Sequence, residues 1–96
     1  MNTKQGQAGT LESNDILITV SSRLAGEGIK IELTSIVQPQ YGPMIYETLK
    51  ASAENLQQTD LLIAAADKGA LSCTIEARLR TALLRAGLIS EEVARS

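Results

Sequence analysis

Few residues in this chain could do chemistry by themselves. There is no histidine and only one cysteine, Cys73, so the commonest general base and the commonest metal ligand are missing. A Ser-His-Asp triad, a Cys/His nucleophile pair and a Cys/His zinc site are excluded on the same ground, and no metal site is expected. What remains is hydroxyls and scattered carboxylates. Within "GTLESND", residues 9–15, Ser13 stands between Glu12 and Asn14-Asp15, just ahead of an apolar run. Asp15, Asp60 and Asp67 lie at the ends of apolar segments, and acid/base catalysis would need two of them to converge in one pocket. Cys73, without a histidine, has nothing evident beyond helix N-terminus proximity to make it reactive, which argues against an acyl-bearing thiol.

Ser13 has two readings. Ser, Asn and Asp bond to nearby backbone and punctuate strand ends, so S-N-D is an ordinary turn. The alternative is a hydroxyl held on an anchored but exposed loop so that a group can be attached to it. Its place between a polar segment and a strand suits that role. The chain also lacks a reactive group of its own, so it must bind or carry something. Both readings stay open on these residues alone.

Positioning that hydroxyl falls to the elements around it. In "DILITVSSR" Ile16, Ile18 and Val20 alternate with Leu17, Thr19 and Ser21, the period-two pattern of a strand with one buried face. "IKIELTSIV" repeats it, with Ile29, Ile31 and Leu33 on one side. Joined through the Gly-containing "LAGEG", the two runs predict an antiparallel hairpin. "QPQYGPM" stops the second strand, and Pro43 suits a first helical turn. Ile45, Leu49, Ala53 and Leu56 then share one helix face. "LLIAAA" reads as a short buried strand. Leu71, Ile75, Leu79, Ala82, Leu83 and Ala86 form a second helical stripe, with Gly87 as its C-cap. The order β-β-α-β-α predicts an α+β fold, a two-layer sandwich with a three-stranded sheet and both helices on one face. The β-α-β crossover should be right-handed. Residues 1–12 read as a flexible lead-in, 13–88 as one domain, and 89–96 as a frayed tail in which Ser90 caps a short turn.

Composition narrows the function. The chain has 96 residues, 44% of them hydrophobic, enough for one domain with a real core. Two tyrosines are its only aromatics and its net charge is −2; nucleic-acid binding, which needs stacking platforms or a basic stripe, is not expected. No apolar run approaches the roughly 20 residues of a membrane span, and the polar N-terminus lacks the core of a signal peptide. A lone cysteine forms no internal disulfide. The cytoplasm is the expected location.

"AGTLESND", then "DKGAL", then "ARLRTALLRA", in that order from Ala8 to about Ala86, resemble the acyl carrier protein of citrate lyase, its gamma subunit. The resemblance implies that Ser13, the serine of the family's S-x-D element, carries a phosphoribosyl-dephospho-coenzyme A arm through a phosphodiester bond. It implies a fold unlike the four-helix acyl carriers. It also implies a non-catalytic subunit whose partners are the alpha subunit, an acyl transferase, and the beta subunit, a citryl lyase, together with the enzyme that attaches the arm. Acetyl and citryl groups would ride the arm as thioesters while citrate is cleaved to acetate and oxaloacetate. Two residues depart from the pattern: Asn14, where Ser or Gly is expected, and Ser72, where an aspartate is common.

Three other readings compete. The carrier of malonate decarboxylase uses the same type of arm, although the "TLES" and "DKGAL" wording favours the citrate enzyme. A non-carrier interaction module would use its hairpin edge or the face formed by Cys73, Ala77 and Leu84. A small carboxylate enzyme would use the three aspartates. Gly69 in "DKGAL" is expected to serve a strand-to-helix connection, since one glycine is far short of a phosphate-binding loop.

Overall fold

The alternation that predicts the first strand is obeyed residue by residue. The computed structural model describes residues 3–34 and 37–95. Its strands are β1 (Gln5–Ala8), β2 (Ile16–Ser22), β3 (Ile29–Thr34) and β4 (Leu61–Asp67). Its helices are α1 (Gly42–Asn55), α2 (Ser72–Arg85) and the short α3 (Glu91–Ala94), with a 3-10 turn at Pro39–Tyr41 leading into α1. The end of the expected second strand, Ser35 and Ile36, lies outside the described residues. Ile16, Ile18 and Val20 face inward with Leu61, Ile63 and Ala65 of β4. Above them lie Ile45, Leu49 and Ala53 of α1 and Ile75, Leu79, Ala82 and Leu83 of α2, so one core joins a single helix layer to a single sheet. Each fully buried Ile or Leu contributes roughly 1.5–3 kcal/mol. The two-layer α+β arrangement is as expected, and it is not a four-helix bundle.

The sheet departs from expectation in two ways. It has four strands rather than three, ordered β1-β2-β4-β3. The fourth comes from the segment taken as a lead-in: Gln5–Ala8 pairs antiparallel with β2, from Gln5↔Ser21 to Ala8↔Ile18. A glycine makes this possible. A Cβ on Gly6 would stand 2.3 Å from the Ala82 carbonyl oxygen and 2.5 Å from the Ala86 nitrogen, so β1 lies flat against the α2 backbone, where no side chain fits. The Arg85 Nη1 donates to the Gln7 carbonyl at 2.9 Å and holds the strand there.

The second departure is that β2 and β3 form no hairpin. β4 lies between them, antiparallel to β2 (Ile16↔Asp67 to Ser22↔Leu61) and parallel to β3 (Ile29↔Leu61 to Thr34↔Ala66). Two strands separated by a third lie about 9.6 Å apart, twice the usual spacing, which a two-residue turn cannot bridge. The 23–28 connection is wide enough because Asp60, the residue before β4, sits inside it. Its Oδ1 accepts the amides of Gly26 and Gly28, both at 2.9 Å, and its backbone oxygen accepts the Arg23 amide at 3.1 Å. The Gly28 amide, then the Thr59 hydroxyl and the Gly26 amide, hold the Asp60 carboxyl below its ordinary pKa.

Helix ends follow their chemistry. At the C-terminus of α2 the Gly87 amide donates to the Leu84 carbonyl at 3.0 Å and the Leu88 amide to that of Leu83 at 2.9 Å, the pairing of a Schellman cap. The Ser90 Oγ accepts the Val93 amide at 3.2 Å and starts α3. One stripe residue is corrected. Leu71 sits just before the first turn of α2 and is 71% exposed. No helix among the described residues is long and apolar enough to cross a membrane.

Candidate functional site

Two loops meet at the end of the sheet where β2 begins and β4 ends. The first, 9–15, carries Ser13. The Asp15 amide donates to the Glu12 carbonyl at 3.2 Å, closing a β-turn with Ser13 and Asn14 at its corners. Asn14 has φ +66°, a left-handed conformation that Asn and Gly adopt far more readily than other residues. The departure from Ser or Gly at this position therefore keeps the turn. Ser13 is exposed.

The turn is tied to the second loop, 67–71. The Asn14 amide donates to the Lys68 carbonyl at 2.7 Å, and the Lys68 amide to that of Asp15 at 2.9 Å. Asp67, almost fully buried, accepts the amides of Gly69 and Ala70, each at 3.1 Å, and shapes the connection into α2. Gly69 has φ +94°, and a Cβ there would sit 3.6 Å from the Asn14 Oδ1; its glycine is required by conformation rather than by crowding. The strand-to-helix role expected of "DKGAL" is what the geometry contains.

Asp15 anchors the site from below. Its carboxylate receives Arg78 in a two-pronged pair, Nε to Oδ1 and Nη2 to Oδ2, both at 3.0 Å. Thr10 Oγ1 donates to Oδ2 at 2.7 Å, and the Ile16 amide to Oδ1 at 2.7 Å. Arg78 and Thr10, in that order, outweigh burial and lower the Asp15 pKa to about 2. Arg78 lies 63 residues away in the chain, and no spacing rule joins the two. Its two parts were visible separately, as the aspartate of "SND" and the arginines of "ARLRTALLRA".

Beside Ser13 the two loops and the start of α1 enclose a groove of about 570 Å³, with Ser13 and Asn14 on its rim and Met44, Lys68 and Leu71 among its walls. The other arginines are elsewhere: Arg85 holds β1, and Arg80 lines a separate hollow with Ser52 and Val93. Cys73 is exposed one residue into α2 and does not line the groove. The three aspartates do not gather: Asp15 and Asp67 are at one end of the sheet, each engaged in loop-forming bonds, and Asp60 precedes β4 at the other.

A small mixed sheet under two helices, with a serine presented on a braced turn, defines an α+β scaffold with an exposed serine hydroxyl beside a groove. Comparison with known proteins gives that scaffold a family. The family model described as malonate decarboxylase delta subunit (MdcD), an ACP family, matches residues 3–86. The citrate lyase acyl carrier protein of Halothermothrix orenii is 43% identical over 90 residues, covering 94% of each chain. That of Streptococcus uberis is 46% identical over 79 residues, 82% of this chain and 76% of the relative. That of Clostridium perfringens is 41% identical over 88 residues, 92% of this chain and 86% of the relative. The chain belongs to this family of acyl carrier proteins.

Proposed function

We propose that this chain is the acyl carrier subunit of citrate lyase, that it is not itself a catalyst, and that Ser13 is the attachment point of a phosphoribosyl-dephospho-coenzyme A arm. The observation that carries the reading is the turn itself: an exposed hydroxyl at a corner whose backbone is fixed on both sides by Lys68, Asp15 and Arg78. The residues fit such a group. Ser13 supplies the oxygen for a phosphodiester. Lys68, which lines the same groove, makes no ion pair among the described residues and supplies positive charge for phosphates.

When attached, the arm supplies a thiol on which acyl groups are carried as thioesters, with the activation residing in that bond. The chain's own residues do the rest. The bonds of Asp15 and Asn14 fix the turn, so Ser13 holds one end of the arm on a rigid support. Confinement then raises the effective concentration of the thiol at the active sites of the alpha and beta subunits, turning bimolecular encounters into intramolecular ones. A carrier of this kind works in the cytoplasm, beside the subunits it serves.

Intact mass after co-expression with the attaching enzymes tests the reading. An adduct on the wild-type chain that is absent from Ser13→Ala is the expected outcome; a bare chain under the same conditions would exclude it. A second reading, the carrier of malonate decarboxylase, is favoured by the description of the family model. Reconstitution separates the two: the loaded chain should restore cleavage to citrate lyase subunits depleted of their carrier, and not to malonate decarboxylase subunits.

A further inference from the structure

The groove beside Ser13 collects a disproportionate share of the exposed apolar surface. Eight large hydrophobic side chains are exposed among the described residues, and five of them, Leu11, Val37, Tyr41, Met44 and Leu71, line this one groove. Scattered exposed apolar residues are normal, whereas a gathered patch marks a binding surface. The sixth relevant wall is Lys68, without a partner ion among the described residues. An aromatic ring, a thioether and aliphatic walls beside a lysine suit a flat apolar group joined to phosphates. A nucleotide has that form. The volume, about 570 Å³, lies within the ~300–1,000 Å³ of sites that enclose small molecules.

We propose that the groove is a berth for the nucleotide part of the chain's own arm, so that the base packs against Tyr41, Met44 and Leu71 and Lys68 neutralises the phosphates. The inference rests on Ser13 being the attachment point. It adds that the arm docks on its carrier between visits to the partner subunits instead of trailing free. The tether favours this occupant over any free ligand, because Ser13 is on the rim of the groove. A short linker gives an effective concentration of the order of millimolar, so a berth of only millimolar intrinsic affinity would be filled about half the time.

The test is NMR on the isotopically labelled chain, loaded by co-expression, with intact mass to verify the adduct. The expected result is NOEs from the adenine H2 and H8 protons to the Met44 methyl group or the Tyr41 ring. Amide shift changes relative to unloaded Ser13→Ala should extend across Tyr41, Met44, Lys68 and Leu71. A loaded Leu71→Glu chain, altered at a site already in solvent, should lose those NOEs. A verified adduct with no base-to-chain NOEs, and shift changes confined to residues 12–15, would overturn the berth and leave the attachment standing. So would NOEs of full strength in loaded Leu71→Glu. Absence of the adduct from the wild-type chain would overturn both.

Discussion

At one end of the sheet Asp60 gathers the 23–28 connection around the start of β4; at the other, Asp15 and Asp67 knit the 9–15 and 67–71 loops together. Both ends use the same device, a carboxylate accepting backbone amides, and they use it to different depth. Asp60 works at the surface and closes a wide connection. Asp15 is nearly buried, takes a two-pronged arginine from α2 and carries an exposed serine two residues before it. Bonds to a charged acceptor strengthen as water is excluded. The difference teaches that the Ser13 end is built for rigidity under an exposed group, while the Asp60 end only spans a gap.

That contrast can be broken, most forcefully at Asp15. Replacing it with alanine strands Thr10, the Ile16 amide and Arg78 together. The expected loss is about 3 kcal/mol, read as a fall in Tm of roughly 12–24 °C. A loss no larger than that of Asp60→Ala would erase the distinction between the two ends. The acid side of the stability curve is the next test. The Asp15 pKa is lowered from 3.8 to about 2, so between those values the unfolded chain binds more protons than the folded one. Stability therefore rises with pH across that window. The contribution, about 2 kcal/mol, is complete above the unfolded value and is lost as pH falls through the folded one. Urea titrations from pH 2 to 5 should show this slope in the wild type and a shallower one in Arg78→Ala.

Asp60→Ala should do less, and do it elsewhere. Hydrogen exchange is expected to speed at Gly26 and Gly28, whose amides it accepts, with the proposed arm loading at Ser13 unchanged; impaired loading would mean that the two ends are coupled. The smallest effect is expected of Asn14→Gly. Both residues accept a φ of +66°, so stability should stay within about 0.5 kcal/mol of wild type by thermal melt. A larger cost would show that the Asn14 side chain, and not only its backbone, braces the turn.

Periodicity made much of this fold legible. Ile16, Ile18 and Val20, and the buried stripes of α1 and α2, are where their spacing puts them. S-N-D announced a turn because its side chains carry the turn's chemistry within themselves. β1 left no such trace: Gln5 and Gln7 are polar, Gly6 has no side chain, and the strand is held by backbone pairing and by Arg85. Alternation predicts a hairpin that does not form, because it reports which face of a strand is buried and is silent about its neighbour. Asp60, far along the chain, joins Arg23 and Glu27 in shaping the 23–28 connection around the start of β4, and no local pattern links it to that loop. Leu71 has the spacing of a stripe residue but precedes the first helical turn, so the helix does not carry it inward. The Asp15–Arg78 pair and the groove draw on segments distant in sequence, which local patterns do not connect.

β4, one of the two inner strands of the sheet, is also the last of the four to leave the ribosome. Until Leu61–Asp67 emerges, β2 and β3 have no common neighbour, and until α2 follows, Asp15 has no arginine. A nascent chain of about sixty residues holds the β1-β2 pair but not the strand that joins it to β3, and pairing across so long a separation is slow in such topologies. On the proposed attachment at Ser13, an enzyme that reads the braced turn would modify finished molecules and pass over partial ones, making the fold its own certificate of completion.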